Sequence, residues 1–105
     1  MPFANDMERE LHFWKHGEEF GASDSLEYER LADTFMHGPM GIETHQCFRP
    51  GGIDRVRFDY GTHFEGIART RTMVIRSFYA VSLRLIRKHG GESGYFTYEC
   101  GRVDL

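Results

Sequence analysis

The spacing of the apolar residues changes along the chain, and this change constrains the fold more than any other feature. One early stretch repeats apolar residues every three or four positions: Tyr28, Leu31, Ala32, Phe35 and Met36. That spacing is typical of an amphipathic helix. Residues 55–60 instead alternate charged and apolar side chains, which is typical of a strand with one buried face. Helices followed by strands predict an α+β fold.

Two helices are predicted in the N-terminal part. In Asp6–His16, an apolar stripe has helical spacing, and Gly17 is expected to end the helix; the stripe consists of Met7, Leu11 and Trp14. The second helix spans about residues 24–37, because Asp24 and Glu27 form a capping-box pattern at its start. Gly38 and Pro39 follow this helix and are expected to end it.

The remainder of the chain is predicted to be largely strand. The predicted strands are 42–48, 55–60, 63–69, 73–79 and 95–100. Both faces of the strand at 73–79 carry apolar groups, so we expect it in the middle of the sheet. Residues 80–89 fit both a short helix and an alternating strand. The helix is preferred, because the segment ends at a pair of glycines.

The expected architecture is one domain, residues 1–105. It has two N-terminal helices (about 6–37) packed on one face of a four- to five-stranded antiparallel sheet (about 42–100). The chain has no apolar run long enough for a membrane span, and its first residues lack the pattern of a signal peptide. Folding in the cytosol is therefore expected, with Cys47 and Cys100 reduced.

The net charge of −3 hides an uneven distribution. Residues 1–48 carry ten acidic and three basic residues, whereas residues 49–88 carry nine basic and three acidic ones. A polarised chain can present a basic face to phosphate groups while its acidic face stays in solvent. An ordinary solvated surface with uneven charge gives the same pattern, so charge alone leaves both interpretations open.

Three blocks of sequence stand out when they are taken together. Residues 12–21 read His-Phe-Trp-Lys-His-Gly-Glu-Glu-Phe-Gly and are followed by Glu-Tyr-Glu at 27–29. Residues 57–64 read Arg-Phe-Asp-Tyr-Gly-Thr-His-Phe, and residues 75–79 read Ile-Arg-Ser-Phe-Tyr. In this order the blocks resemble the nuclease toxins of the barnase–EndoU–colicin–RelE superfamily. The second block is one residue shorter than the family stretch, Ser77 stands where the family usually has threonine, and residues 80–91 replace what is usually a short loop.

The resemblance implies a metal-independent endoribonuclease toxin of bacterial or phage origin, without a cofactor. Such an enzyme cleaves RNA by transesterification through the 2′-OH, and tRNA is one candidate substrate. It acts in the cytoplasm, either of the cell that makes it or of a target cell into which it is delivered. A cell that makes it needs an immunity protein, and an acidic inhibitor would suit a face formed by Arg55 and Arg57.

Cleavage without a metal needs a base for the 2′-OH proton, an acid for the leaving 5′-oxygen and cations for the charged phosphorane. His12 and His16 are the candidates for proton transfer, since histidine titrates near neutral pH and the two lie four residues apart. A structural interpretation is equally open, because a histidine near a helix end often caps a carbonyl group or packs beside an aromatic ring.

Arginine suits the phosphorane because its planar fork matches phosphate oxygens. Arg57 is the catalytic candidate, with Arg55 on the same strand face and Arg76 in the third block as substrate-binding residues. Lys15 is a further candidate for phosphate contact, unless it points to solvent. The alternative for Arg55 and Arg57 is pairing with acidic residues on a neighbouring strand.

Hydroxyl groups complete the predicted site. Ser77 and Tyr79 share one face of their strand, where they can hold a phosphate oxygen, and a tyrosine can also stack on a base. Thr62 is a candidate at a turn, although a turn hydrogen bond would account for it equally well. For Ser77 and Tyr79 the alternative is packing at the edge of the core.

Two other functions compete with the nuclease. A non-catalytic RNA- or protein-binding module of the same fold would bind RNA with steep salt dependence and leave it intact. A metal site could use the His12 and His16 spacing together with Cys47, Cys100, His45 and His63. The metalloprotease pattern needs glutamate directly after the first histidine, where this chain has Phe13, so no metal is expected.

Overall fold

A computed structural model of the chain describes residues 2–103, so Met1, Asp104 and Leu105 lie outside the described residues. The fold is α+β: two N-terminal helices, a four-stranded antiparallel sheet and two C-terminal helices. The helices are α1 (Asp6–His16), α2 (Ser25–His37), α3 (Leu83–Lys88) and α4 (Glu92–Gly101), with a short 3-10 helix (Gly17–Phe20) after α1. The strands are β1 (Thr44–Phe48), β2 (Asp54–Asp59), β3 (Phe64–Arg69) and β4 (Ile75–Ala80).

Local capping explains both N-terminal helices, which are confirmed. The Asn5 side chain accepts a hydrogen bond from the Glu8 amide at 2.8 Å and starts α1, and Gly17 follows its last residue. The Asp24 side chain accepts from the Glu27 amide at 2.8 Å and starts α2, as the capping-box pattern predicts. The preference for a helix within residues 80–89 is also confirmed, by α3.

The strands form a meander in which β1, β2, β3 and β4 are neighbours in chain order. The prediction that residues 73–79 form a central strand is wrong in position, because β4 is an edge strand. The N-terminal segment covers this edge: Phe3 forms a parallel bridge with Ile75, and the Ile75 amide donates to the Pro2 carbonyl at 3.1 Å. Because the N-terminal segment packs on β4, apolar side chains are buried there even though β4 lies at the edge of the sheet.

Helices cover both faces of the sheet, whereas the sequence predicts helices on one face only. Residues 95–100, predicted as a closing strand, belong to α4. Gly90 and Gly91 have positive φ angles of 86° and 111° and separate α3 from α4. Tyr95 and Glu99, four residues apart, then lie buried on one side of α4. Packing of one helix face thus overrides the strand preference of an aromatic-rich segment.

The sheet separates two apolar cores. The core beneath α1 and α2 consists of Phe3, Tyr28, Ala32, Met36, Ala68, Ile75 and Phe78. There α2 crosses β3 so closely that a Cβ atom at Gly66 would overlap the Met36 side chain. The core beneath α3 and α4 consists of Phe58, Val81, Ile86 and Tyr95. Among residues 2–103, no helix is long and apolar enough to cross a membrane.

The apolar stripe of α1 faces solvent. Met7 is 79% exposed, Leu11 48% and Trp14 87%. Phe13, on a different face of the helix, packs against the core instead. The period therefore identified the helix correctly but did not identify the face that the helix buries.

The expectation of reduced cysteines is wrong, because Cys47 and Cys100 form a disulfide with their Cα atoms 6.0 Å apart. The bond joins β1 to α4. It lies beside a buried ion pair in which Arg49 donates to the Glu99 carboxylate at 3.0 Å and to the Glu99 carbonyl at 2.9 Å. One covalent bond and one buried charge pair therefore hold α4 against the sheet.

Removing the disulfide with Cys47→Ser and Cys100→Ser should lower the free energy of unfolding by about 4 kcal/mol, since the bond closes a loop spanning 53 residues. Urea denaturation followed by far-UV circular dichroism measures this, with reductant added to the unchanged protein as the matched comparison. Two titratable thiols in the untreated native protein would contradict the bond.

A second carboxyl group is buried beneath α4. Glu65 is fully buried in β3 and accepts a hydrogen bond from the Tyr95 hydroxyl at 2.5 Å. Burial, reinforced by the neighbouring Glu99 carboxyl, raises the pKa of Glu65 to about 9. Glu65 is therefore a neutral acid at pH 7 in the folded protein.

The raised pKa makes stability depend on pH. The folded chain keeps the Glu65 proton while the unfolded chain loses it above pH about 4.5, so this group lowers stability as pH rises towards 9. Glu65→Gln does not titrate and keeps an acceptor for Tyr95. Its free energy of unfolding, relative to the unchanged protein, should rise steadily between pH 5 and pH 9 in urea titrations. Glu18→Gln is the control at an exposed position, and a difference independent of pH would disprove the buried neutral acid.

Candidate functional site

Several of the predicted site residues meet where α1 lies beside β4. We call this the α1–β4 seam, formed by His12 and His16 from α1 and by Arg76 and Tyr79 from β4. The ring centroids of His12 and His16 are 6.5 Å apart, and those of His16 and Tyr79 are 5.7 Å apart. His12 and Arg76 line one cavity. Four residues that are up to 67 positions apart in the sequence thus form one site.

His12 is largely buried in the seam. Its ring stacks on Phe3 at 5.1 Å between centroids, and its Nε2 atom lies 3.6 Å from a Glu8 carboxylate oxygen. Its Nδ1 atom is buried without a hydrogen-bond partner among residues 2–103. Burial lowers the pKa of His12, and the Glu8 carboxylate only partly opposes this effect. Nε2 is therefore the ring nitrogen that has a carboxylate beside it.

His16 is held by a carboxylate that the sequence analysis did not single out. Its Nδ1 atom lies 2.8 Å from one Glu19 oxygen, and the other Glu19 oxygen accepts a hydrogen bond from the Ala80 amide at 2.6 Å. A carboxylate on Nδ1 places the proton there and leaves Nε2 as the acceptor. The 3-10 helix Gly17–Phe20 brings Glu19 back beneath His16.

A cavity of about 470 Å³ opens beside His12, and two arginines help to line it. Its polar lining consists of Asn5, Glu8, His12, Arg69 and Arg76. Arg69 and Arg76 each donate to a different oxygen of Asp54, at 3.2 and 2.7 Å. Their side chains are 41% and 33% exposed, so both arginines can be reached from solvent.

The hydroxyl candidates on β4 differ in their surroundings. Tyr79 is half-buried, and burial together with the Glu65 carboxyl raises its pKa above the usual range, so it stays neutral. Its ring contacts His16. Ser77 is half-buried and lies opposite Ile67 in β3. In the sequence it stands between Arg76 and Tyr79. Tyr79 therefore belongs to the seam by contact, and Ser77 only by its position on the strand.

The prediction that Arg55 and Arg57 form a basic face exposed to solvent is wrong. Arg57 is buried; its Nη1 atom donates to the carbonyls of Phe35 and Gly38 at 3.0 and 2.8 Å. Arg55 donates to the Met36 carbonyl at 2.7 Å. Both also donate to the Gln46 side chain on β1.

Helix carbonyls at the end of a helix lack intrahelical donors, and these two arginines supply them for α2. The two arginines therefore stabilise the packing of α2. They are not available to the acidic inhibitor that the sequence suggested.

The remaining candidates lie outside the seam contacts. Thr62 donates to the Asp59 carboxylate through its amide at 2.7 Å and through its hydroxyl at 3.0 Å, which is the turn role considered from the sequence. Lys15 is exposed on α1. Its charge still acts on the seam, because it contributes to lowering the pKa of His12.

Sequence reasoning missed Glu19, Arg69 and Asp54. Glu19 had a local signal, since a carboxylate three residues after a histidine can reach it across one helical turn. The signal for Arg69 and Asp54 exists only in the strand register, which pairs them directly across β2 and β3.

No group of three or more histidine, cysteine or acidic side chains within residues 2–103 has an arrangement that could hold a metal ion. The disulfide also removes the two thiols that the alternative metal site would need.

Comparison of the chain with models of known protein families gives no match. Comparison with curated protein sequences gives no significant match either.

The structure makes Arg57 a structural residue, which can be tested. Arg57→Ala leaves two carbonyls at the end of α2 without their donor, so the free energy of unfolding should fall by about 1–3 kcal/mol. Urea denaturation followed by circular dichroism measures the change. Arg30→Ala, at an exposed position of α2, is the control and should cost less than about 0.5 kcal/mol. Full stability of Arg57→Ala together with lost RNA cleavage would restore the catalytic role.

Proposed function

We propose that the protein is a metal-independent endoribonuclease of the barnase–EndoU–colicin–RelE kind, acting as a toxin. The observation that carries the proposal is the pair of imidazole rings 6.5 Å apart, one of which, that of His12, lines a cavity together with Arg69 and Arg76. Two proton-transfer groups and adjacent cations are what RNA transesterification requires.

In the proposed reaction, His16 is the general base. Its Nδ1 proton is directed at Glu19, so its Nε2 atom accepts the proton of the RNA 2′-OH. The 2′-oxygen then attacks the adjacent phosphorus, the bond to the 5′-oxygen breaks, and a 2′,3′-cyclic phosphate forms.

His12 is the proposed acid that protonates the leaving 5′-oxygen. The Glu8 carboxylate lies 3.6 Å from the His12 Nε2 atom and favours the protonated ring that an acid needs, whereas burial lowers the pKa of His12. Arg76 and Arg69 bind the charged phosphorane from the cavity. Tyr79, whose ring contacts His16, is proposed to contact a base, and the exposed Lys15 is proposed to contact the substrate backbone.

The proposed place of action is the cytoplasm, where RNA is available. The disulfide favours passage through an oxidising compartment before that, because such bonds rarely persist in reducing cytosol. Delivery into a target cell satisfies both conditions. The required immunity protein would cover the seam, and protection of cells by the product of a neighbouring gene would test this. If no such product protects, the toxin role is contradicted.

Incubation of the purified protein with tRNA in EDTA should yield fragments that end in 2′,3′-cyclic phosphate. His16→Ala and His12→Ala should each reduce the cleavage rate by about a hundredfold or more, since proton transfer by one side chain contributes that much. His45→Ala is the matched control, because His45 is exposed on β1 at the opposite edge of the sheet. Gel analysis and end-group mapping measure the products.

The outcomes separate the proposed enzyme from its alternative. RNA that is bound but intact would indicate the non-catalytic binding module of the same fold. RNA that is neither bound nor cut would contradict both the nuclease and an RNA-binding module, and would leave protein binding as the alternative. Cleavage that stops in EDTA, or that survives both histidine substitutions, would contradict the mechanism.

A further inference from the structure

The basic residues of 49–88 divide into two groups in the structure. Five are engaged in internal hydrogen bonds or ion pairs: Arg49, Arg55, Arg57, Arg69 and Arg76. Four are exposed: Arg71, Arg84, Arg87 and Lys88. Three of these four lie on the six-residue helix α3. The exposed basic residues of this segment therefore lie mainly on α3 and not on β2.

The three cations of α3 are not paired with an acidic group in the described part of the chain. Arg84, Arg87 and Lys88 make no ion pair or side-chain hydrogen bond with any residue of 2–103. The nearby acidic residue Glu92 is paired with His63 at 3.0 Å. Uncompensated cations on a rigid element attract polyanions.

The core anchors α3, so the position of these cations is defined. Ile86 is buried in the core beneath α3 and α4, and the Ser82 hydroxyl accepts a hydrogen bond from the Leu85 amide at 3.2 Å. Arg84 and Lys88 are four residues apart and line one shallow depression of about 530 Å³. Two charges on one helix face can contact successive groups of an extended anion.

The helix follows the seam directly in the chain. The Ala80 amide donates to Glu19, the carboxylate that holds His16. Arg84 comes four residues after Ala80, so their Cα atoms lie within about 14 Å of each other. An RNA strand with its scissile phosphate in the seam would therefore pass close to α3.

We propose that Arg84, Arg87 and Lys88 on α3 bind the phosphate backbone of RNA and supply the electrostatic part of its affinity. The inference rests on the proposed function, since it names the surface along which the substrate of that same site runs. RNA suits this surface better than a lipid membrane does. Leu83 is the one apolar side chain of α3 that is exposed, which is too little for the apolar face that interfacial helices insert.

The test measures RNA binding separately from cleavage. The parent protein carries His12→Ala and His16→Ala, so that a fluorescein-labelled single-stranded RNA stays intact during anisotropy titrations at several salt concentrations. Each phosphate contact contributes about 0.7 to the slope of log affinity against log salt. Adding Arg84→Gln and Lys88→Gln should therefore reduce that slope by about 1.4. Affinity at 50 mM salt should fall on the order of tenfold or more.

The control pair is Arg30→Gln with Arg71→Gln, which removes the same charge from α2 and from the β3–β4 turn. It should leave the slope close to that of the parent. Equal effects of both pairs would overturn the proposal, because they would show a response to net charge only. An unchanged slope in the α3 pair would also overturn it. So would binding to phosphatidylserine vesicles by a parent that does not bind RNA.

Failure of the two proposals can be told apart. A protein with unaltered histidines that binds RNA through α3 but never cleaves it supports the α3 surface and contradicts the nuclease. A protein that cleaves RNA with the same affinity after the α3 substitutions contradicts only the α3 surface.

Discussion

The ion pairs of the buried Asp54 carboxylate are the interaction on which both the sheet and the candidate site depend. Asp54 is 1% exposed at the start of β2. It is bound by Arg69 of β3 and Arg76 of β4, while Arg49 lies 3.7 Å away. A lone buried carboxylate would be strongly destabilising, and the three guanidinium groups offset that cost. The same ion pairs hold Arg69 and Arg76 at the wall of the cavity. The contacts that join β2 to β3 and β4 therefore also position the arginines of the candidate site.

The seam also shows how the protection of an edge strand can place a functional group. An edge strand exposes backbone donors and acceptors that would otherwise pair with another chain. Here Phe3 and Pro2 cover the start of β4, and the Glu19 side chain accepts the amide of Ala80 at its end. The other oxygen of Glu19 holds His16. A single carboxylate therefore closes the sheet edge and orients an imidazole.

Features with a local cause were predictable from the sequence, and features that depend on distant contacts were not. The Asp24 cap and the period of α2 defined that helix correctly, and alternation defined β2. The pairing of His12 with His16 followed from their spacing of four. In contrast, Tyr95 and Glu99 form a helix because the second sheet face needs a cover, and no local pattern specifies that need.

The arginines illustrate the same limit at the site. Arg57 and Arg76 have similar sequence surroundings, each within a strand and directly after a β-branched apolar residue. One is buried against the carbonyls of α2, and the other lines the cavity. The difference arises because α2 crosses β3 on the side where Arg57 lies. The close approach of Met36 to Gly66 sets this crossing, and these two residues are 30 positions apart in the sequence.

The solvent-facing stripe of α1 has a practical consequence for optical work on this molecule. Trp14 is the single tryptophan of the chain and is 87% exposed. Its indole already has a water-like surrounding in the native state, so its emission responds weakly to loss of the cores. The same ring is a sensitive reporter of anything that covers α1, because shielding it from water would shift its emission to shorter wavelength and protect it from a soluble quencher.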